Sequence, residues 1–497
     1  MTGLDSKFEQ EKPLKAERKK IIEMISSIVI MIIILFLPLE GITVVGHRVL
    51  AIAAFAVVVW VTECISYPLS SFAIASLITF LVGFAPDPNN SANIIGLSKG
   101  LIMAVSGWES DMTWFILCSL ILALGMNVTG LDRRITLWIV SRFHTYKGVL
   151  IGSMIAMDVL AFLIPSSTAR TAAMVPIIMG IISVFKQSTK SQFAAAMGVG
   201  LATISSTSQF GILTGSAPNV LVASFVEQAT GVSMSWMQFF VLFFPYMVIM
   251  TIAAYFIVKW IFKSEVDEVP GGKDSIKQMY TELGPWTSAQ KRVAVLFAIT
   301  IFFWASNGVL FNLNLTAVTI VAALCFMLPG IGVISWETAQ NRLNWGTVLL
   351  FATGMGIGIL LVQTKAALWL ADVIFGGLGV SSMPVLLAAI AFSIIAVLLH
   401  FGFSSSTSLC ATYLPMVISY IQANNLSNFS LVGIPFIILI ATGVTLLPVN
   451  SANTIVAFGT NTFTQRQFFI VNIINAVASL IMIVVFSATY WHWLGII

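Results

Sequence analysis

The chain has 497 residues, of which 58% are hydrophobic and only 9% charged, with a formal net charge of +4. So little charge over this length argues against a soluble globular protein, and basic residues confined to the ends of apolar runs argue against nucleic acid as a partner. The repeated apolar runs match a bilayer core in length and are continuous rather than alternating, which argues against a β-barrel.

Residues 1–20 form a basic N-terminus with Lys7, Lys12, Lys15, Arg18, Lys19 and Lys20. The apolar run that follows, 21–39, is long enough to span a membrane, so no cleavable leader is expected. Further spans are expected at 48–66, 69–85, 112–129, 193–226, 236–262, 292–306, 315–334, 346–362, 431–459 and 467–489. Two regions, 148–185 and 382–421, are interrupted by hydroxyl clusters and read as re-entrant hairpins. Segments 132–146 and 366–377 read as amphipathic helices lying at the interface. Residues 264–290 read as a charged cytoplasmic loop. The cysteines, Cys64, Cys118, Cys325 and Cys410, lack metal-ligand spacing and read as small core residues.

Placing the N-terminus in the cytoplasm puts all but four of the 24 Lys and Arg on cytoplasmic segments. The exceptions are Arg48, Lys99, Lys365 and the intramembrane Arg170. This positive-inside bias favours an all-α, multi-pass protein of the cell membrane with about 11 transmembrane helices and two re-entrant hairpins. The first hairpin would open from the cytoplasm and the second from outside, and the C-terminus would lie outside.

An internal repeat supports this organisation. Trp114, Gly125 and Leu137-Trp138 match Trp345, Gly356 and Leu368-Trp369 at an offset of 231. The triplet Ser166, Ser167, Thr168 and Pro176 match Ser405, Ser406, Thr407 and Pro415 at an offset of 239. "GSAPN" at 215–219 answers "NSANT" at 450–454. Entered from opposite sides, the copies form an inverted repeat, an architecture common among secondary transporters. The expected divisions are 1–20, 21–105, 106–262 (repeat 1, hairpin 148–185, broken helix 193–226), the loop 263–291, 292–334, and 335–497 (repeat 2, hairpin 382–421, broken helix 431–459).

Irregular backbone at membrane depth has to be buried in protein or line a cavity. At a hairpin tip, half-helix ends expose unpaired N–H groups, and hydroxyls add adjustable donors and acceptors. Two such tips at matched positions suit an anion such as a carboxylate; capping or helix packing is the structural alternative. Asn219, Asn450 and Asn453 interrupt two other spans and could complete a site near the midplane, or serve only as locally satisfied amides. Arg170 costs about 2.5–3.5 kcal/mol at the bilayer centre on insertion scales. An anionic partner is expected, either a substrate or Asp158, the nearest acid in sequence. His400, shortly before the second tip, is either a neutral hydrogen-bonding group or a second cation. Glu63 and Asp158 are the other acids near apolar stretches. No nucleophile–His–acid set, metal-ligand cluster or phosphate loop is apparent, so neither an enzyme nor a cofactor is expected.

The order tip, broken span with "APN", tip, broken span resembles the divalent anion/sodium symporter family over about 21–490. The resemblance implies transport of dicarboxylates or citrate by an elevator mechanism in a homodimer. In it, 21–105 and 292–334 would be scaffold spans. It implies substrate contacts at Ser166, Ser167, Thr168, Ser216, Ala217, Asn219, Ser405, Ser406, Thr407, Ser451, Asn453 and Thr454. The family's tips carry Ser-Asn-Thr and help to hold sodium; here Ser167 and Ser406 replace the asparagine. With Arg170 and His400 as charge-compensating groups, the chain is similar to the dicarboxylate exchanger branch. Sodium-independent antiport of malate, succinate, fumarate or 2-oxoglutarate is the expectation, with no metal site. A sodium-coupled symporter of the same fold is the first alternative, and an anion channel or pump subunit the second.

Overall fold

The computed structural model describes residues 5–88, 90–264, 268, 274–403, 405–424, 426 and 429–496. It is built almost entirely of helices. In chain order these are α1 (Asp5–Phe36), α2 (Val44–Thr62), α3 (Tyr67–Leu77), α4 (Leu97–Val105), α5 (Asp111–Thr129), α6 (Leu131–Val140), α7 (Tyr146–Ala161), α8 (Ser167–Val184), α9 (Gln192–Thr207), α10 (Ala217–Thr230), α11 (Trp236–Ile261) and α12 (Asp274–Thr281). They continue as α13 (Ser288–Ser306), α14 (Leu315–Met327), α15 (Trp336–Arg342), α16 (Trp345–Gln363), α17 (Ala366–Phe375), α18 (Val385–Leu399), α19 (Ser406–Ala423), α20 (Gly433–Ala441), α21 (Ala452–Phe458), α22 (Gln465–Ala488) and α23 (Tyr490–Trp493).

Among the described residues, seven helices are long and apolar enough to cross a bilayer: α2, α5, α8, α11, α13, α16 and α22 with its extension through α23. Two expected spans are divided. Residues 193–226 become α9 and α10, separated by two short 3-10 turns. Residues 431–459 become α20 and α21, with a 3-10 turn at Pro448–Asn450. The helix α1 already begins at Asp5, within the basic N-terminus. The loop expected at 264–290 contains α12, and part of it (265–267, 269–273) lies outside the described residues.

The sequence repeat is matched element by element. The junctions α5–α6 and α16–α17 each turn through a left-handed residue, Gly130 (φ 68°) and Lys365 (φ 60°). Both α8 and α19 start on the hydroxyl triplet and carry an internal proline, Pro176 and Pro415. Both α10 and α21 start after an extended serine, Ser216 and Ser451.

The chain divides into two compact units. Unit 1 comprises Met1–Thr113, Trp345–Met383 and Gly402–Ser427. Within it α16 packs on α2, α3, α4 and α19. Small residues let backbones meet: a Cβ on Gly107 would lie 1.8 Å from the Ala352 carbonyl oxygen of α16. Helix α17 packs on α19, where the Phe375 ring lies 5.3 Å from that of Tyr420. Trp369 Nε1 donates to Glu40 O at 2.8 Å, which fixes the chain between α1 and α2.

Unit 2 comprises Trp114–Asn344, Pro384–Phe401 and Asn428–Ile497. Its centre is α9, in which every residue from Phe193 to Thr207 is buried. Alanines and glycines let α7, α8, α11, α21 and α22 approach it from all sides. A Cβ on Gly198 would fall 2.0 Å from Thr462 Oγ1, so this close approach requires glycine. Trp236 and Phe240 of α11 stack at 5.5 Å, Phe240 and Phe244 at 4.4 Å, and Phe162 packs its ring on all three. Tyr246 of α11 and Ser479 of α22 share a buried hydrogen bond at 2.7 Å.

Candidate functional site

Unit 2 holds Ser166, Ser167, Thr168, Arg170, Ser216, Ala217, Asn219, His400, Ser451, Asn453 and Thr454, whereas Ser405, Ser406 and Thr407 belong to unit 1. Helix α7 ends near Ala161 and the chain turns before α8. Ser166 caps α8, its Oγ accepting from Ala169 N at 3.2 Å. Ser167 and Thr168 are half-buried in the first turn. The leading N–H groups of α8 therefore sit beside hydroxyls, with the positive end of the helix dipole behind them.

Arg170 follows one turn into α8 and is fully buried. Its Nη1 donates to two carbonyls, Ile164 O at 2.5 Å and Gly215 O at 2.7 Å. The first belongs to the approach to the tip and the second to the break between α9 and α10, so the guanidinium ties tip and break together. Its Nε and Nη2 have no partner. It forms no ion pair with Asp158, whose Oδ2 instead accepts from Thr251 Oγ1 at 2.9 Å. The buried guanidinium thus keeps idle donors and forms no ion pair, and unmet charged donors are costly.

The two breaks have different internal bonding. Asn219 Nδ2 donates to Gln209 O at 2.7 Å and Ile212 O at 2.8 Å, closing its own loop, while its Oδ1 is unpartnered. Ser216 Oγ is also buried without a partner. In the second break, Asn453 accepts from Ser451 Oγ and donates to Ser205 Oγ at 2.7 Å and Ser206 Oγ at 3.0 Å. Thr454 Oγ1 turns back to Pro448 O and Ser451 O, both at 2.8 Å. Ser206 Oγ and Thr445 Oγ1 lie 3.4 Å apart. Asn450 accepts from Leu447 N at 2.9 Å and donates to Phe401 O at 3.3 Å. Ala217 contributes backbone at the start of α10.

His400 closes α18 and is only 1% exposed. The backbone of Thr442, Val444 and Asn450 surrounds its ring, but neither nitrogen makes a hydrogen bond of normal geometry.

Within unit 1, Ser405 starts α19 in extended conformation, and its carbonyl accepts from Ser408 Oγ at 2.9 Å. Ser406 is buried and Thr407 half-buried. No cluster of His, Cys, Asp or Glu suited to a metal ion occurs among the described residues.

Sequence reasoning placed Ser205, Ser206 and Thr445 in the breaks 205–221 and 445–460 without singling them out as site residues. A signal was present, since residues 205–207 are themselves a Ser-Ser-Thr triplet inside an apolar helix.

A family model described as "Sodium:sulfate symporter transmembrane region" matches residues 18–497. A Cupriavidus necator protein named only as a membrane protein is 36% identical over 95% of this chain and 92% of its own. The sodium-dependent dicarboxylate transporter SdcS of Staphylococcus saprophyticus is 24% identical over 91% of this chain and 88% of its own. The citrate/succinate antiporter of Escherichia coli K12 is 31% identical, over 54% of this chain and 56% of its own. Among solved structures, the Alcanivorax borkumensis YdaH transporter superposes with a TM-score of 0.54 at 10% identity, covering 88% of this chain and 99% of that one, a likeness of fold. The chain is a polytopic helical membrane protein with a transporter fold, and it belongs to the sodium:sulfate symporter family, the divalent anion/sodium symporters that its tips and breaks resemble.

Proposed function

We propose that this protein is a secondary transporter that exchanges dicarboxylates of the malate, succinate, fumarate or 2-oxoglutarate class without sodium. The observation that carries the reading is Arg170, fully buried, held by two carbonyls and left with idle donors. A fixed cation can balance a dianion as bound sodium would, but it cannot leave with it. An empty carrier would then keep a buried guanidinium with no ion pair, offset only through space by Asp158, so returning loaded is favoured and exchange follows. The replacement of the tip asparagine by Ser167 and Ser406 supports the same conclusion. The names of the related transporters support the substrate class. On this reading Ser166, Ser167 and Thr168, with the groups at Ser216, Asn219, Ser451, Asn453 and Thr454, contact the substrate. The two copies of the repeat are inverted, and the transporter works as a homodimer by elevator movement.

Sodium symport is the second reading, favoured by the neutral oxygens gathered around Asn453. Proteoliposomes loaded with one unlabelled dicarboxylate and challenged with labelled substrate separate the two. Exchange should proceed equally at zero and high sodium, fail in empty vesicles, and fall at least about tenfold in Arg170→Ala. Sodium-dependent uptake into empty vesicles would establish symport instead.

A further inference from the structure

Asp158 has no role in the exchange just described, yet its placement is specific. It lies in α7, one turn before Phe162, on the hairpin arm that precedes the tip, while Arg170 lies on the arm that follows. Its Oδ2 is held by Thr251 of α11 and its Oδ1 is buried without a partner. Arg170 acts on it through space without pairing with it. A free acceptor and free donors therefore flank one tip unjoined, and a buried ionisable group in an apolar segment is by default a candidate for function.

The other titratable or charged groups on the elements packed against α7 are Asp132, Arg133 and Arg134 on α6 and Tyr246, Tyr255 and Lys259 on α11. Helix α9 and the turn Ser208–Gly211 carry none. On α7 itself, Tyr146 and Lys147 lie about three turns away.

We infer that Asp158 is a proton-binding site coupled to substrate: its carboxylate takes a proton from solvent when a dicarboxylate dianion binds at the Arg170 tip, and releases it when the dianion leaves. An arriving dianion places like charge beside the carboxylate and takes up the attraction of Arg170, and both effects favour the neutral carboxyl. The proton goes to the free Oδ1, while Thr251 continues to donate to Oδ2.

The inference rests on the dicarboxylate reading, and one experiment separates the two. The purified transporter is titrated calorimetrically with fumarate, a dianion at neutral pH, in buffers of different ionisation heat. About one proton should be taken up per fumarate bound, and affinity should strengthen as pH falls, by up to about tenfold per pH unit. Asp158→Asn should bind fumarate with no proton uptake and no such slope. Thr251→Val, which removes the donor that favours the carboxylate, should move the proton uptake to higher pH. Uptake that persists in Asp158→Asn, an unshifted Thr251→Val, or binding to the wild type without protons would each overturn the inference and leave dicarboxylate transport standing. If the wild type binds no dicarboxylate at all, the reading beneath it fails as well.

Discussion

Asn453 Nδ2 lies 2.7 Å from Ser205 Oγ, so one side-chain amide of α21 holds the C-terminal end of α9. The same nitrogen reaches Ser206 at 3.0 Å, and Ser206 in turn faces Thr445. The two broken helices of unit 2 are thereby joined by a buried polar network in which every member depends on its neighbours.

Asn453→Ala should leave the Ser205 and Ser206 hydroxyls and Ser451 short of partners. The expected cost is about 1–3 kcal/mol of stability, together with slower exchange. Thermal unfolding in detergent and counterflow in proteoliposomes measure the two effects. Unchanged values for both would show the network to be incidental.

Arg170→Lys keeps the charge but not the planar fork that reaches Ile164 O and Gly215 O from one nitrogen while presenting two more. Exchange should fall at least about tenfold, because an ammonium cannot reproduce that geometry. A lysine variant exchanging at the wild-type rate would reduce Arg170 to a point charge.

In unit 1, Gly107→Ala drives a Cβ into the Ala352 carbonyl and toward Gly356 N. Backbone cannot yield as a flexible side chain does, so a loss of roughly 1–3 kcal/mol is expected. Gly377→Ala is the control: nothing lies within 4 Å of its Cβ. Its melting temperature should match or slightly exceed the wild type. Equal melting temperatures for the two variants would contradict the close approach.

Gly443, which follows α20, meets the ring of Phe210 in the first break; a Cβ there would lie 1.9 Å from Phe210 Cε2. Gly443→Ala should therefore destabilise by roughly 1–3 kcal/mol, and adding Phe210→Leu should restore part of the loss. A double-mutant cycle reads the coupling directly; simple additivity would mean that the two residues do not meet.

The tips and breaks were readable in sequence because small polar residues stand out in apolar surroundings, and Ser166, Ser216 and Ser451 do start helices. The partners of Arg170 were not readable. Ile164 O and Gly215 O are backbone groups, which any residue type presents, so the only protein side chain in view was the nearest acid, Asp158, beside a substrate. The first break was readable as the stretch 205–221, although Phe210, Ile212 and Leu213 are as apolar as the helices they separate; that α9 continues through Thr207 was not. Ser205 and Ser206 were not singled out because hydroxyls in a membrane helix ordinarily bond to their own backbone, as Ser205 does to Ala202 O; the pull of Asn453 from some 250 positions away leaves no local trace.

The burial of α9 has a consequence for how the protein is made. The helix has 16 residues and finishes in Thr203, Ser205, Ser206 and Thr207, with no side left for lipid. On its own in a bilayer it would expose those hydroxyls, and Gly198 and Gly200 would give lipid little to pack on. Its insertion is therefore favourable only in company. The segments that wrap it, including α22 near the far end of the chain, supply its solvent. Until α22 emerges from the ribosome, the central helix of unit 2 waits in a partly assembled state, and that interval is when a translocon or chaperone has most to protect.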